Sequence, residues 1–167
     1  ECNKWNIEVG EYSFKTDDMK SYLKTLAFAR LLGLLVTDSH IPKEGRIQIS
    51  LGHPLDVDWV VRDMKTLGIN IHSHGMVGMC KNTYAIYLHV DFSDAIRTIP
   101  GVISGAKVDR KARLPQFITE NCPRPIVREF LGAYFGGDGH TCCLSMHRGK
   151  RDLMKSVSLS ETKTEKW

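Results

Sequence analysis

Apolar residues recur along this chain with two periods, and the switches between them outline its elements. A strand-like opening from Trp5 to Phe14 leads to Thr16-Asp17-Asp18, which offers an N-cap and first-turn acids. A helix is predicted from about Asp17 to Thr37. Its apolar positions Met19, Leu23, Leu26, Phe28, Leu31, Leu34 and Leu35 are too dense for one narrow stripe, so its C-terminal end should be buried. Pro42 prevents its continuation beyond Asp38-Ser39-His40. Arg46 to Leu51 then alternates cleanly, with Ile47, Ile49 and Leu51 on one side and Arg46, Gln48 and Ser50 on the other. That is the pattern of a half-buried strand. Pro54 to Leu67 predicts a helix with Leu55, Val57, Val60, Met64 and Leu67 inward, ended by Gly68. Ile69 to His74 and Thr83 to Val90 predict strands, and Ser93 to Ile99 a short helix.

A linker from Gly101 to Pro125 carries the cations Lys107, Arg110, Lys111 and Arg113. Ile126 to Gly137 predicts another helix, with Pro125 suited to its first turn. It stops at Asp138-Gly139-His140, and Thr141 to His147 and Ser156 to Leu159 alternate like strands. The chain therefore contains a repeat: twice a helix ends in Asp and passes into alternating strands, at Asp38 and Asp138. Repeats of this size predict a pseudo-symmetric fold of two similar halves. The division is residues 1–103 for the first repeat, 104–123 for a basic linker and 124–167 for the start of a second. A second half built like the first needs several dozen residues more than follow Asp138, so this repeat is expected to be incomplete. Apolar positions Met146, Val157 and Leu159 would then lack a covering layer, which invites self-association or pairing with a missing half-repeat.

Composition changes this picture little: 167 residues, 42% hydrophobic and 25% charged, is ordinary globular usage. The distribution of charge says more. Residues 1–103 hold 11 Lys and Arg against 12 Asp and Glu, whereas residues 104–167 hold 12 against 7. A basic half suits a polyanionic partner. The five cysteines are odd in number with no C-x-x-C pair, which fits a reduced, intracellular compartment. No apolar run approaches the roughly 20 residues needed to cross a bilayer, so no membrane partner is expected.

The two helix ends carry the chemistry. Small residues, Ala29 and Gly33 in one and Gly132, Ala133, Gly136 and Gly137 in the other, would let the backbones approach closely. Glycines inside a helix cost roughly 1 kcal/mol each relative to Ala, which close packing would offset. If the helices pack in parallel, Asp38 and Asp138 sit together at two C-termini that already bear partial negative charge. That arrangement repels itself unless a cation occupies it, and carboxylate and carbonyl oxygens suit a hard divalent ion. A single Asp at such a place is ordinarily a cap or turn residue. Two on matching helices point to function.

These segments, Leu31-Leu32-Gly33-Leu34-Leu35-Val36-Thr37-Asp38-Ser39 and Phe130-Leu131-Gly132-Ala133-Tyr134-Phe135-Gly136-Gly137-Asp138-Gly139, resemble the paired signature motifs of LAGLIDADG (dodecapeptide) homing endonucleases. Ser39 stands where the family has Gly. The surrounding text, including Leu51-Gly52-His53-Pro54-Leu55-Asp56-Val57, resembles endonuclease domains carried by inteins. The resemblance covers residues 5–160. It implies an α+β fold with an αββαββα half repeated, its antiparallel sheets forming a saddle over double-stranded DNA. It implies a site-specific, divalent-metal-dependent endonuclease, with Asp38 and Asp138 as catalytic ligands of Mg²⁺ or Mn²⁺ and hydrolysis by in-line attack of water. It also implies an intein splicing domain as neighbour if the segment is embedded in a host protein. The family's lysine position, upstream of the second motif, is Ala112 here; Lys111 is the candidate catalytic substitute, with Arg113 as the alternative.

The polar strand faces supply candidate DNA contacts. Arg and Gln can read base edges in the major groove, which singles out Arg46 and Gln48, with Ser50 beside them. Tyr87, His89, Ser145 and His147 occupy similar positions, and Arg148, Lys150 and Arg151 suit phosphate. Any antiparallel sheet with one wet face has polar residues at alternate positions, so this pattern also fits a plain surface. His72 and His74 read as a surface strand end rather than a metal pair. Two other functions stay open: an inactive relic that binds DNA or assists RNA splicing, and an α/β domain whose Asp turns are structural.

Overall fold

The computed structural model describes residues 4–76, 83–105, 114–140, 144–147, 150–153 and 158–159, with backbone alone from residue 138 onward. The opening is a hairpin of β1 (Asn6–Val9) and β2 (Tyr12–Lys15), closed by Gly10 at φ +58. A Cβ on Gly10 would lie 2.9 Å from that of Ala95, so only glycine lets this turn seat. Phe14 stacks on Phe28 at 3.9 Å between ring centroids, and the hairpin is thereby fixed to the next helix.

That helix, α1 (Met19–Thr37), is capped by Asp18, whose carboxylate accepts from the Ser21 amide at 2.9 Å and hydroxyl at 2.7 Å. Its C-terminal half is buried as its apolar density predicts, through Phe28, Leu31, Leu32 and Leu35, while Met19 and Leu23 remain exposed. From α1 the chain runs through β3 (Ser39–His40), β4 (Gln48–Leu51), α2 (Pro54–Leu67), β5 (Ile71–Met76), β6 (Tyr84–Leu88) and α3 (Val90–Arg97). This is an α+β arrangement, and the order helix-strand-strand-helix-strand-strand-helix is the one expected for a half. The four strands form one antiparallel sheet in the order β3-β4-β6-β5. Ile47, Ile49 and Leu51 are buried and Arg46 and Ser50 exposed, as the alternation predicts.

Three expectations need correction. Leu55 points outward, since Val57, Val60, Met64 and Leu67 define the buried stripe and Leu55 falls outside it. The third helix begins at Val90, three residues before Ser93, so His89 is its N-cap rather than a strand residue. The Ser93 hydroxyl fixes that start, donating to the His89 carbonyl at 2.9 Å and accepting from the Ile47 amide at 3.1 Å. The segment expected to be a linker holds a short helix, α4 (Gln116–Thr119), whose Ile118 is buried and whose Phe117 ring lies 5.9 Å from that of Trp5.

Beyond it come α5 (Arg124–Asp138), β7 (Gly139–His140), β8 (Leu144–His147), β9 (Lys150–Leu153) and β10 (Ser158–Leu159). Ile126, Phe130 and Tyr134 of α5 join the same core as α1, the sheet and the hairpin. Among the described residues no helix is long and apolar enough to cross a membrane.

Candidate metal and nucleic-acid site

Helices α1 and α5 lie side by side and point the same way. A Cβ placed on Gly33 would stand 2.5 Å from the carbonyl oxygen of Phe130 and 2.9 Å from the Ala133 Cβ. Four residues on, one on Gly137 would collide with the Thr37 hydroxyl and the Asp38 carboxylate. The helices are therefore in contact over a full turn, backbone to backbone at Gly33 and through the Thr37 and Asp38 side chains at Gly137, in the parallel sense that brings both C-termini together. Among the described residues, nothing lies within 4 Å of a Cβ placed on Gly132 or Gly136. Close packing thus accounts for Gly33 and Gly137 but not for those two.

Asp38 is the C-cap of α1, its amide donating to the Leu34 carbonyl at 2.8 Å. Its own carbonyl accepts from the Ser50 amide at 2.8 Å, which ties the helix end to β4. The Thr37 hydroxyl reaches the Gly33 carbonyl at 3.2 Å and the Asp38 carboxylate at 3.4 Å. Ser39 is buried with its hydroxyl on the Leu35 carbonyl, so it closes the last turn of α1. The Asp38 carboxylate is half-buried against α5 at Gly137, one residue before Asp138, the last residue of that helix.

The passage from helix to strand is the same in both repeats. Ser39 and His40 pair with Ile49 and Gln48; Gly139 and His140 pair with Leu159 and Ser158. Between β7 and β10 the second repeat carries an additional hairpin, β8 against β9. No family model matches the chain, and no curated protein matches it in sequence.

A groove of about 440 Å³ opens beside Asp38, lined also by Arg30, Ser50, Asp56, Trp59 and Asp63. Sequence reasoning missed its organising residue. Arg30 holds both carboxylate oxygens of Asp63, at 2.9 and 2.6 Å, and reaches Glu129 at 2.9 Å. One guanidinium fork thereby ties α1 to α2 and α5, and those carboxylates hold it firmly in its charged form. The available signal was its isolation, since Arg30 is the one charged residue between Leu26 and Thr37.

The sheet face away from the core aligns His40, Gln48, Tyr87 and Ser73 in one row across all four strands. Ser50 lies on the same face, its hydroxyl 3.4 Å from the Gln48 amide. Arg46 is exposed just ahead of the strand. His89 leaves this row and faces Asp91, 3.0 Å from its carboxylate. A register shift falls between Ile71 and Ser73, and His72 and His74 are both exposed. In β8 and β9, His147 pairs with Lys150 and Ser145 with Asp152, whereas Arg151 pairs with Met146. By register, Ser145, His147 and Lys150 fall on one face of this hairpin and Arg151 on the other. Lys107, Arg110, Lys111, Ala112, Arg113, Arg148 and Val157 lie outside the described residues. Among the described residues no three of His, Cys, Asp and Glu cluster as a ready metal site.

Proposed function

We propose that this chain is a homing-endonuclease domain of the LAGLIDADG type, acting on double-stranded DNA with a divalent metal. The observation that carries the reading is the parallel helix contact at Gly33 and Gly137, which seats the Asp38 carboxylate against the end of α5 where Asp138 follows. Asp38 suits a hard cation, being a half-buried oxygen donor at a helix C-terminus, where partial negative charge accumulates. Asp38 and Asp138 would hold Mg²⁺ or Mn²⁺. Such an ion, when bound, lowers the pKa of a coordinated water and stabilises the departing oxygen.

The chain's own residues supply position. Ser50 links Asp38 through its amide to the strand that carries Gln48, so the end that would hold the metal is hydrogen-bonded to the polar sheet face. Arg46, Gln48, Ser50 and Tyr87 would then read the major groove from a saddle-shaped surface, with His147 and Lys150 extending the contact from the second repeat. An inactive relic that binds DNA or RNA is the second reading, favoured by Ala112 at the lysine position.

Duplex libraries incubated with the chain in Mg²⁺, in Mn²⁺ and in chelator test the proposal. Metal-dependent cutting at a preferred sequence is expected. Duplex binding that weakens steeply with salt, without cutting under any metal, would select the relic. Neither binding nor cutting would end both readings.

A further inference from the structure

At the other end of the helix pair, about 28 Å from Asp38 along a helix of this length, the fold leaves a second cavity. It measures about 740 Å³ and is lined by Lys4, Trp5, Tyr22, Asn121, Cys122 and Arg124, together with Thr16 and two prolines. The size lies within the range of small-molecule sites. Its walls are held in place. The Trp5 amide donates to the Thr16 hydroxyl at 2.9 Å, its carbonyl accepts from the Thr16 amide at 3.0 Å, and its ring leans on Phe117. Asn121, at φ 54, turns the chain tightly into α5 on the opposite side.

The chemistry of the lining is one-sided. Among the described residues, two aromatic residues and two cations line the cavity, and no carboxylate does. Burial pushes the Cys122 thiol up to about 11, so it adds no negative charge near neutral pH. Aromatic faces beside Lys or Arg are how proteins hold a planar base together with its phosphate. We propose that this cavity binds a nucleotide, the base against Trp5 and Tyr22 and the phosphate between Lys4 and Arg124. The site does not depend on the endonuclease reading, since it shares no residue with the carboxylate end.

Calorimetric titration of the full chain with adenosine monophosphate and with a thymidine octanucleotide tests it, with duplex DNA as control. Saturable binding is expected for at least one probe. Tighter binding of the octanucleotide would assign the site to single strands, and tighter binding of the monophosphate to a free nucleotide. Lys4→Gln combined with Arg124→Gln, two exposed positions, should weaken that binding about tenfold, and Tyr22→Leu by a similar factor. The duplex control should change less than twofold, by roughly the loss of ordinary surface charge. No saturable binding of either probe at millimolar concentration would overturn the proposal. So would variants that weaken nothing, or that weaken duplex binding equally.

Discussion

Helices α1 and α5 end alike and are buried differently. In α1, Ala27, Phe28, Leu31, Leu32 and Leu35 lie beneath the sheet and the hairpin, all at or below 1% exposure. The positions one hundred residues later in α5 are Val127, Arg128, Leu131, Gly132 and Phe135. Arg128 exposes 80% of its side chain and Phe135 is 38% exposed. Among the described residues, the fully buried face of α5 is the one bearing Ile126, Phe130 and Tyr134, with Leu131 partly buried against the same core. Helix α1 is thus enclosed by the core on most of its C-terminal half, whereas α5 gives the same core mainly one face. The shared feature is the contact between the helices, where both sequences keep small residues.

The largest expected effect separates the two buried faces. Phe28→Ala should cost about 3–5 kcal/mol, because it removes a fully buried ring stacked on Phe14. Phe135→Ala should cost less, about 1–2 kcal/mol, since Phe135 is 38% exposed. Equilibrium denaturation of both variants checks the contrast, and equal costs would mean that α5 is covered like α1.

Next in size is the helix contact itself. Gly33→Leu should cost about 1–3 kcal/mol or more, since even its Cβ meets the Phe130 backbone. Gly132→Ala should be neutral or slightly stabilising, because no described residue would touch its added Cβ and Ala favours the helix. An unchanged melting temperature for Gly33→Leu would mean that the helices do not touch in solution.

Arg30→Met should be milder, at about 1 kcal/mol, since its side chain is 38% exposed and solvent screens the pairs. The loss should shrink as added salt weakens the parent, and a salt-independent loss would point to packing alone. Smallest is the cap of α1. Hydrogen bonds from Ser21 hold the Asp18 carboxyl below its ordinary value. The folded pKa is depressed, so its stabilisation is present above the unfolded value and disappears as pH falls through the folded one. The melting difference between the parent and Asp18→Ala should therefore close in strong acid. A difference that persists there would assign the effect to something other than the ionised cap.

How far these features were legible depended on how local their causes are. Helix α2 was readable because Pro54 and Gly68 punctuate it, and Gly68 takes φ 73 as a C-terminal glycine should. Asp38 and Gly33 were readable because the motif concentrates small residues and an acid at a helix end. Helix α4 was not, since its four residues are held by Pro100, Trp5 and the core rather than by propensity. The outward turn of Leu55 was missed because one apolar residue cannot announce which side of a helix wins. The Arg30 fork joins residues up to 99 apart in sequence, a geometry that only the assembled helices define.

On the proposed reading, Asp38 and Asp138 act as one site where the ends of α1 and α5 meet. Cleavage and duplex affinity measured side by side on Asp38→Asn and Asp138→Asn test it most directly. Either substitution alone should abolish metal-dependent cutting while leaving duplex affinity nearly unchanged. A variant that cuts at the parental rate would contradict it.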